Sequence, residues 1–181
     1  MDATVKSPGR TLVLGLGNAM LSDLGAGIEL IHRLRRRRPR PVDIDLIRVG
    51  LVNVSLAQVV GEYAKLIVVE ARPVGGEAGT VVEMQGTRMD AFLRQQTGDA
   101  ATLSDLLALL DAEGRLPAQR ALLLVQPGSA RVGHGLSRPV AAALAELGER
   151  VLARAESWST PSRQTPGAAR VDFHLTETAR S

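Results

Sequence analysis

The chain has 181 residues, 45% of them hydrophobic but only 2% aromatic, and a formal charge of +3. That length supports one buried core, which has to be built from Leu, Val, Ile and Ala. Cysteine is absent, which excludes disulfides, zinc–thiolate sites, iron–sulfur clusters and thiol nucleophiles.

Residues 1–10 read as a polar lead-in without the apolar stretch of a signal peptide. No apolar run reaches the roughly 20 residues of a membrane helix. The expectation is a soluble cytoplasmic protein with no membrane partner. TLVLGLG (11–17) reads as a buried strand. Ala26 to Arg38 follows as a helix, with Ile28, Leu30, Ile31 and Leu34 at helical spacing and Pro39 and Pro41 as its stop. Its arginines, Arg33 and Arg35 to Arg38, sit where cations favour the negative end of the helix dipole. With few aromatic platforms beside them, they do not argue for nucleic acid. VDIDLIRV (42–49) alternates as a second strand, and 54–63 has helical spacing. KLIVVEA (65–71) is a third strand, followed by a turn with Gly75, Gly76 and Gly79 and a fourth strand over 80–84. TLSDLLALLD (102–111) is a helix. Thr102 stands at its N-cap and Asp105 where a capping box places its acceptor. ALLLVQ (121–126) is a fifth strand, and 135–154 a last long helix.

Strands and helices alternating in short steps predict an α/β, three-layer sandwich: a mostly parallel five-stranded sheet with helices on both faces. Residues 1–156 form the expected single domain. Residues 157–181, rich in Ser, Thr, Pro and Arg, read as a disordered tail, in which Trp158 and Phe173 are not expected to dock. Ligands of such folds bind at the C-terminal ends of the strands. Attention therefore falls on the segments 15–27, 48–53, 70–76 and 126–137.

GLGNAMLSDLGAG (15–27) carries the most information. Gly15 and Gly17 open a dinucleotide fingerprint, but Met20 stands where the third glycine would approach a pyrophosphate. A Gly-Leu-Gly-Asn opening also occurs in peptidyl-tRNA hydrolases, which need a histidine close behind. The nearest here, His32, is inside the first helix.

The segment resembles the opening of the hydrogenase maturation endopeptidases, through Gly15, Gly17, Asn18, Asp23, Gly25 and Gly27. KLIVVEARPVGGEAGTV (65–81), TLSDLLALL (102–110) and QPGSARVGHGLSRPV (126–140) resemble later segments of that family in the same order. The resemblance spans about residues 11–155. It implies trimming of a C-terminal extension from the large subunit of nickel–iron hydrogenases, with the large subunit as partner. It also implies three side chains that meet the substrate's nickel, a metal suited to mixed carboxylate and imidazole ligands. The chain departs from the pattern at each of them. Leu24 replaces an acid, Glu70 replaces an aspartate, and Asp99 stands in place of a histidine. Arg48 takes the place of an aspartate at the end of the second strand. Arg48 and Glu70 are expected to pair.

The remaining candidates for a metal are Glu70, Asp99 and Asp23, the last of which also reads as a turn or N-cap residue. Candidates for substrate binding are Asn18, Gly25, Arg48, Gly50 and His134. Asn18 also reads as a turn residue, and His134 as a lone surface histidine. No catalytic residue or resident cofactor is assigned. Ser129 and Ser137 lack a base partner. Three functions stay open: an endopeptidase with an altered ligand set, a non-catalytic relative that binds the large subunit as chaperone or checkpoint, and a small α/β protein binding an anion or nucleotide at the helix start, residues 23–28.

Overall fold

The computed structural model describes residues 9–39, 43–95, 102–133 and 135–159. Five strands, β1 (Thr11–Leu16), β2 (Ile44–Val49), β3 (Lys65–Ala71), β4 (Val81–Gln85) and β5 (Gln119–Val125), form one sheet in the order β2-β1-β3-β5-β4. All neighbours are parallel except β4, which runs antiparallel to β5. The helices are α1 (Ala26–Arg36), α2 (Ser55–Val60), α3 (Gly86–Arg94), α4 (Leu103–Ala112) and α5 (Arg138–Ser159), with a 3-10 turn at Ser22–Gly25.

Period-two alternation divides the core. Leu12, Leu14, Leu66, Val68, Leu122 and Leu124 face one side of the sheet and pack with residues of α2, α3 and α4. Val13, Ile67, Val69, Ala121, Leu123 and Val125 face the other and pack with α1 and α5. The central strands β1, β3 and β5 are buried on both faces, which explains their continuous apolar runs. Helices therefore cover both faces, as expected.

Close packing of α1 explains two of the motif glycines. A Cβ on Gly15 would lie 2.2 Å from the Gly27 carbonyl oxygen, and one on Gly27 would lie 2.3 Å from that of Leu16. The helix backbone thus lies directly on the strands, and the loop ahead of it is fixed at the strand ends. At α4 the capping box forms as expected. The Thr102 hydroxyl accepts from the Asp105 N–H at 3.3 Å, and the Asp105 carboxylate accepts from the Thr102 N–H at 2.9 Å.

Four expectations change. α3 was not foreseen: its Met89 and Leu93, one helical turn apart, are its buried residues. The second helix is shorter than 54–63, ending at Val60. The last helix starts later, at Arg138, and continues through Ser157 and Trp158 to Ser159. Trp158 does dock, half-buried against the α1/α5 side of the core. Residues 160–181, Phe173 among them, lie outside the described residues. Among the described residues no helix is long and apolar enough to cross a membrane.

Candidate functional site at the strand ends

The parallel strands β1, β2, β3 and β5 deliver four loops to one edge of the sheet. Asp23 is at the centre of them. It lies in the 3-10 turn and is fully buried. Its carboxylate accepts the N–H groups of Gly128 and Ser129 at 2.8 Å each, the Ser137 N–H at 2.6 Å and the Ser137 hydroxyl at 2.8 Å. Burial opposes the charge, yet the Ser137 N–H and hydroxyl, with the N–H groups of Gly128 and Ser129, hold the carboxyl below its ordinary value. Asp23 lies in a turn, as expected, but its side chain caps neither that turn nor α1. It ties the loop after β1 to the loop after β5.

The two loops also join through their backbones. Leu21 and Gly133 form a parallel bridge. The Gly133 N–H donates to the Met20 carbonyl at 2.9 Å, and the Ser22 N–H to the Gly133 carbonyl at 3.1 Å. Ser22 takes a left-handed φ of 42°, with its hydroxyl donating to the Gly135 carbonyl at 3.1 Å. Asn18 is exposed, and its Oδ1 accepts the Met20 N–H at 2.9 Å. That is the turn role expected of it. Gly25 lines a cleft of about 350 Å³ between these loops, together with Ala19, Ser22, Ile28, Gly135 and Leu136.

Glu70 and Arg48 do not pair. In the sheet register Gly15 stands opposite Arg48 on one side and Val69 on the other. Arg48 therefore shares a face with Val69, and Glu70, one residue on, points to the other face. The partner of Glu70 is Arg72, two residues along on its own face. The Arg72 guanidinium donates to both Glu70 oxygens at 3.0 Å. Period two contained this signal, but Arg72 was not singled out. Leu24 packs against the α1/α5 core. Arg48 and Gly50 are exposed, while Asp99 and His134 lie outside the described residues.

Two other contacts were not assigned from sequence. Gln126 Oε1 accepts the Val74 N–H at 2.8 Å, fixing the loop after β3 to the end of β5. Ser137 donates to Asp23, but no imidazole among the described residues stands by to make a nucleophile of it.

Among the described residues the candidate donors do not assemble a site for a divalent metal. Among the described residues no three His, Cys, Asp or Glu side chains converge. Asp23 accepts four hydrogen bonds, Glu70 is held by a guanidinium, and Leu24 has no donor atom.

A family model described as hydrogenase maturation protease matches residues 28–154. The hydrogenase expression/formation protein HupD of Rhodobacter capsulatus is 28% identical over 137 residues, covering 75% of this chain and 65% of that protein. The chain thus spans just under two thirds of that relative's length. The hydrogenase 2 maturation protease of Escherichia coli (strain K12) is 28% identical over 146 residues, covering 80% of this chain and 89% of that protein. Among solved structures, the hydrogenase maturating endopeptidase HybD from E. coli superposes with a TM-score of 0.74 at 26% identity. It covers 82% of this chain and 93% of its own.

Proposed function

This chain belongs to the hydrogenase maturation protease family, and from that premise we propose that it serves nickel–iron hydrogenase maturation by binding the large subunit without cutting it. One observation carries the reading: the two described candidate acids, Asp23 and Glu70, are already satisfied within the chain, while the loops that frame them stay intact. The Asp23 carboxylate is spent on Gly128, Ser129 and Ser137, and Glu70 on Arg72. Leu24 is part of the core contact. Metal chemistry depends on ligand identity and on open positions, and these residues supply neither.

What remains is a recognition edge. The cleft lined by Ala19, Gly25, Ile28 and Leu136 is large enough to take side chains of an extended segment. The β1–α1 and β5–α5 loops are held together beneath it by Asp23. A fold can retain its docking shape when its chemistry is gone.

The test is incubation of the full chain with an unprocessed, nickel-loaded large subunit. Native mass spectrometry follows the complex, and intact mass follows the large subunit's C-terminus. The expected result is a stable complex with an unchanged C-terminal mass. Trimming that stops in the Glu70→Gln variant overturns the reading in favour of an endopeptidase. Absence of both complex and trimming overturns large-subunit binding.

A further inference from the structure

Of the large apolar side chains exposed among the described residues, all but Val59 stand on loops at this one edge. Met20 is 62% exposed, Leu51 and Val54 are each 70%, and Val132 is 83%. Exposed apolar groups gathered on one edge mark an interaction surface. The loops that carry them are contiguous. Met20 and Val132 are brought together by the Gly133–Met20 hydrogen bond. On the β2 side the Gly17 N–H donates to the Val49 carbonyl at 3.1 Å, and Gly50 lies beside the Gly17 carbonyl.

The same edge is cationic. Arg48, Arg131 and Arg138 are exposed, and among the described residues their guanidinium groups make no ion pair. Of the described carboxylates at this edge, Asp23 is buried and saturated, Glu70 is tied to Arg72, Glu29 to Arg33, Asp105 beside Val54 to Thr102, and Glu77 is exposed. Apolar contacts flanked by free guanidinium groups suit an extended peptide that brings apolar side chains and a carboxylate.

We propose that this rim reads the free C-terminal carboxylate of an already trimmed large subunit. The inference rests on the reading of the chain as a large-subunit binder. Hydrolysis of a peptide bond places water's hydroxyl on the acyl carbon and its proton on the amine. A trimmed chain therefore ends in a new α-carboxylate where the untrimmed chain has a neutral amide. Guanidinium groups distinguish the two, because only the carboxylate is charged and accepts on both oxygens. The step that supplies this preferred ligand is thus a peptide hydrolysis, and the unprocessed subunit meets the same edge with lower affinity.

The test uses the full chain and two synthetic peptides of the large subunit's C-terminal segment, identical up to the trimming point. One ends as the free acid and the other as the amide. Calorimetry at low salt is expected to show the acid binding about tenfold tighter, the scale of one charge-assisted contact. The combined variant Arg48→Gln, Arg131→Gln, Arg138→Gln is expected to bind both at the amide's affinity. Met20→Ser with Val132→Ser is expected to weaken both alike. Equal affinity of acid and amide for the unaltered chain overturns the carboxylate reading and leaves large-subunit binding standing. So does failure of both peptides to bind when the intact large subunit still forms a complex. Failure of the peptides and of the intact subunit overturns both readings.

Discussion

Asp23 and Ser137 are 114 residues apart and joined twice, the Ser137 N–H donating to Oδ1 at 2.6 Å and its hydroxyl to Oδ2 at 2.8 Å. With Gly128 and Ser129 on the same carboxylate, one buried side chain fixes the start of α5 against the turn before α1. The energetic weight of this contact comes from asymmetry: removing the buried acceptor leaves four donors without their partner.

Asp23→Ala is therefore expected to lower stability by about 3 kcal/mol or more, since each stranded donor costs about 1–3 kcal/mol. Asp23→Asn should cost less but not nothing, because its NH2 group must then face a donor. Urea unfolding measures both. A change within about 0.5 kcal/mol for Asp23→Ala, the scale of an ordinary surface substitution, would show that the clamp carries no load.

Acid should weaken the fold in a defined direction. The Asp23 carboxyl is held low by Ser137, Gly128 and Ser129 against the effect of burial. That of Asp45 is held low by the Arg10 guanidinium, with help from the Tyr63 hydroxyl, again against burial. Both folded values lie below the unfolded ones, so as pH falls the unfolded chain takes up protons first. Their contribution is complete above the ordinary carboxylate range near pH 4 and is lost as pH drops through the folded values. The urea midpoint should hold steady near neutrality and fall below about pH 4. Asp23→Asn should show a shallower fall.

Gly27→Ala tests the packing of α1. The added methyl would meet the Leu16 carbonyl oxygen at 2.3 Å and that of Val69 at 2.5 Å, and both belong to strands that cannot yield. A loss of about 2 kcal/mol or more is expected from such overpacking, read as a lower thermal midpoint. An unchanged midpoint would mean that α1 lifts away from the sheet freely.

Trp158, the chain's one tryptophan, reports on the end of α5. Its fluorescence should change in step with far-ultraviolet circular dichroism during unfolding, because it is packed on the same core as α1. Trp158→Ala should cost about 1–2 kcal/mol, a fraction of the loss for a fully buried aromatic. A fluorescence transition well ahead of the dichroism change would show that the helix end frays independently.

The strands and most helices were legible because their apolar periods are local. The capping box at Thr102 and Asp105 was legible for the same reason. α3 was not, since it opens on Gly86 and buries only Met89 and Leu93, too short a pattern to stand out. Leu24, Glu70 and Arg48 stand out in the sequence against the family pattern it resembles, but their surroundings need the register. Arg48 and Glu70 lie near the ends of strands flanking β1, and only the pairing through Gly15 shows that they point apart. The partners of Asp23 lie on the far side of four strands in sequence, beyond any spacing argument.

The Leu21–Gly133 bridge has a kinetic consequence. It ties the β1–α1 and β5–α5 loops directly to each other, although β1 and β5 are not neighbours in the sheet, so the receptor side is partly arranged before any partner arrives. Association then carries little entropic cost for arranging the receptor side. For the proposed ligand the encounter rate is set by diffusion and by the pull of the arginines on its anionic chain end. Raising the ionic strength should slow arrival at this edge more than it hastens departure.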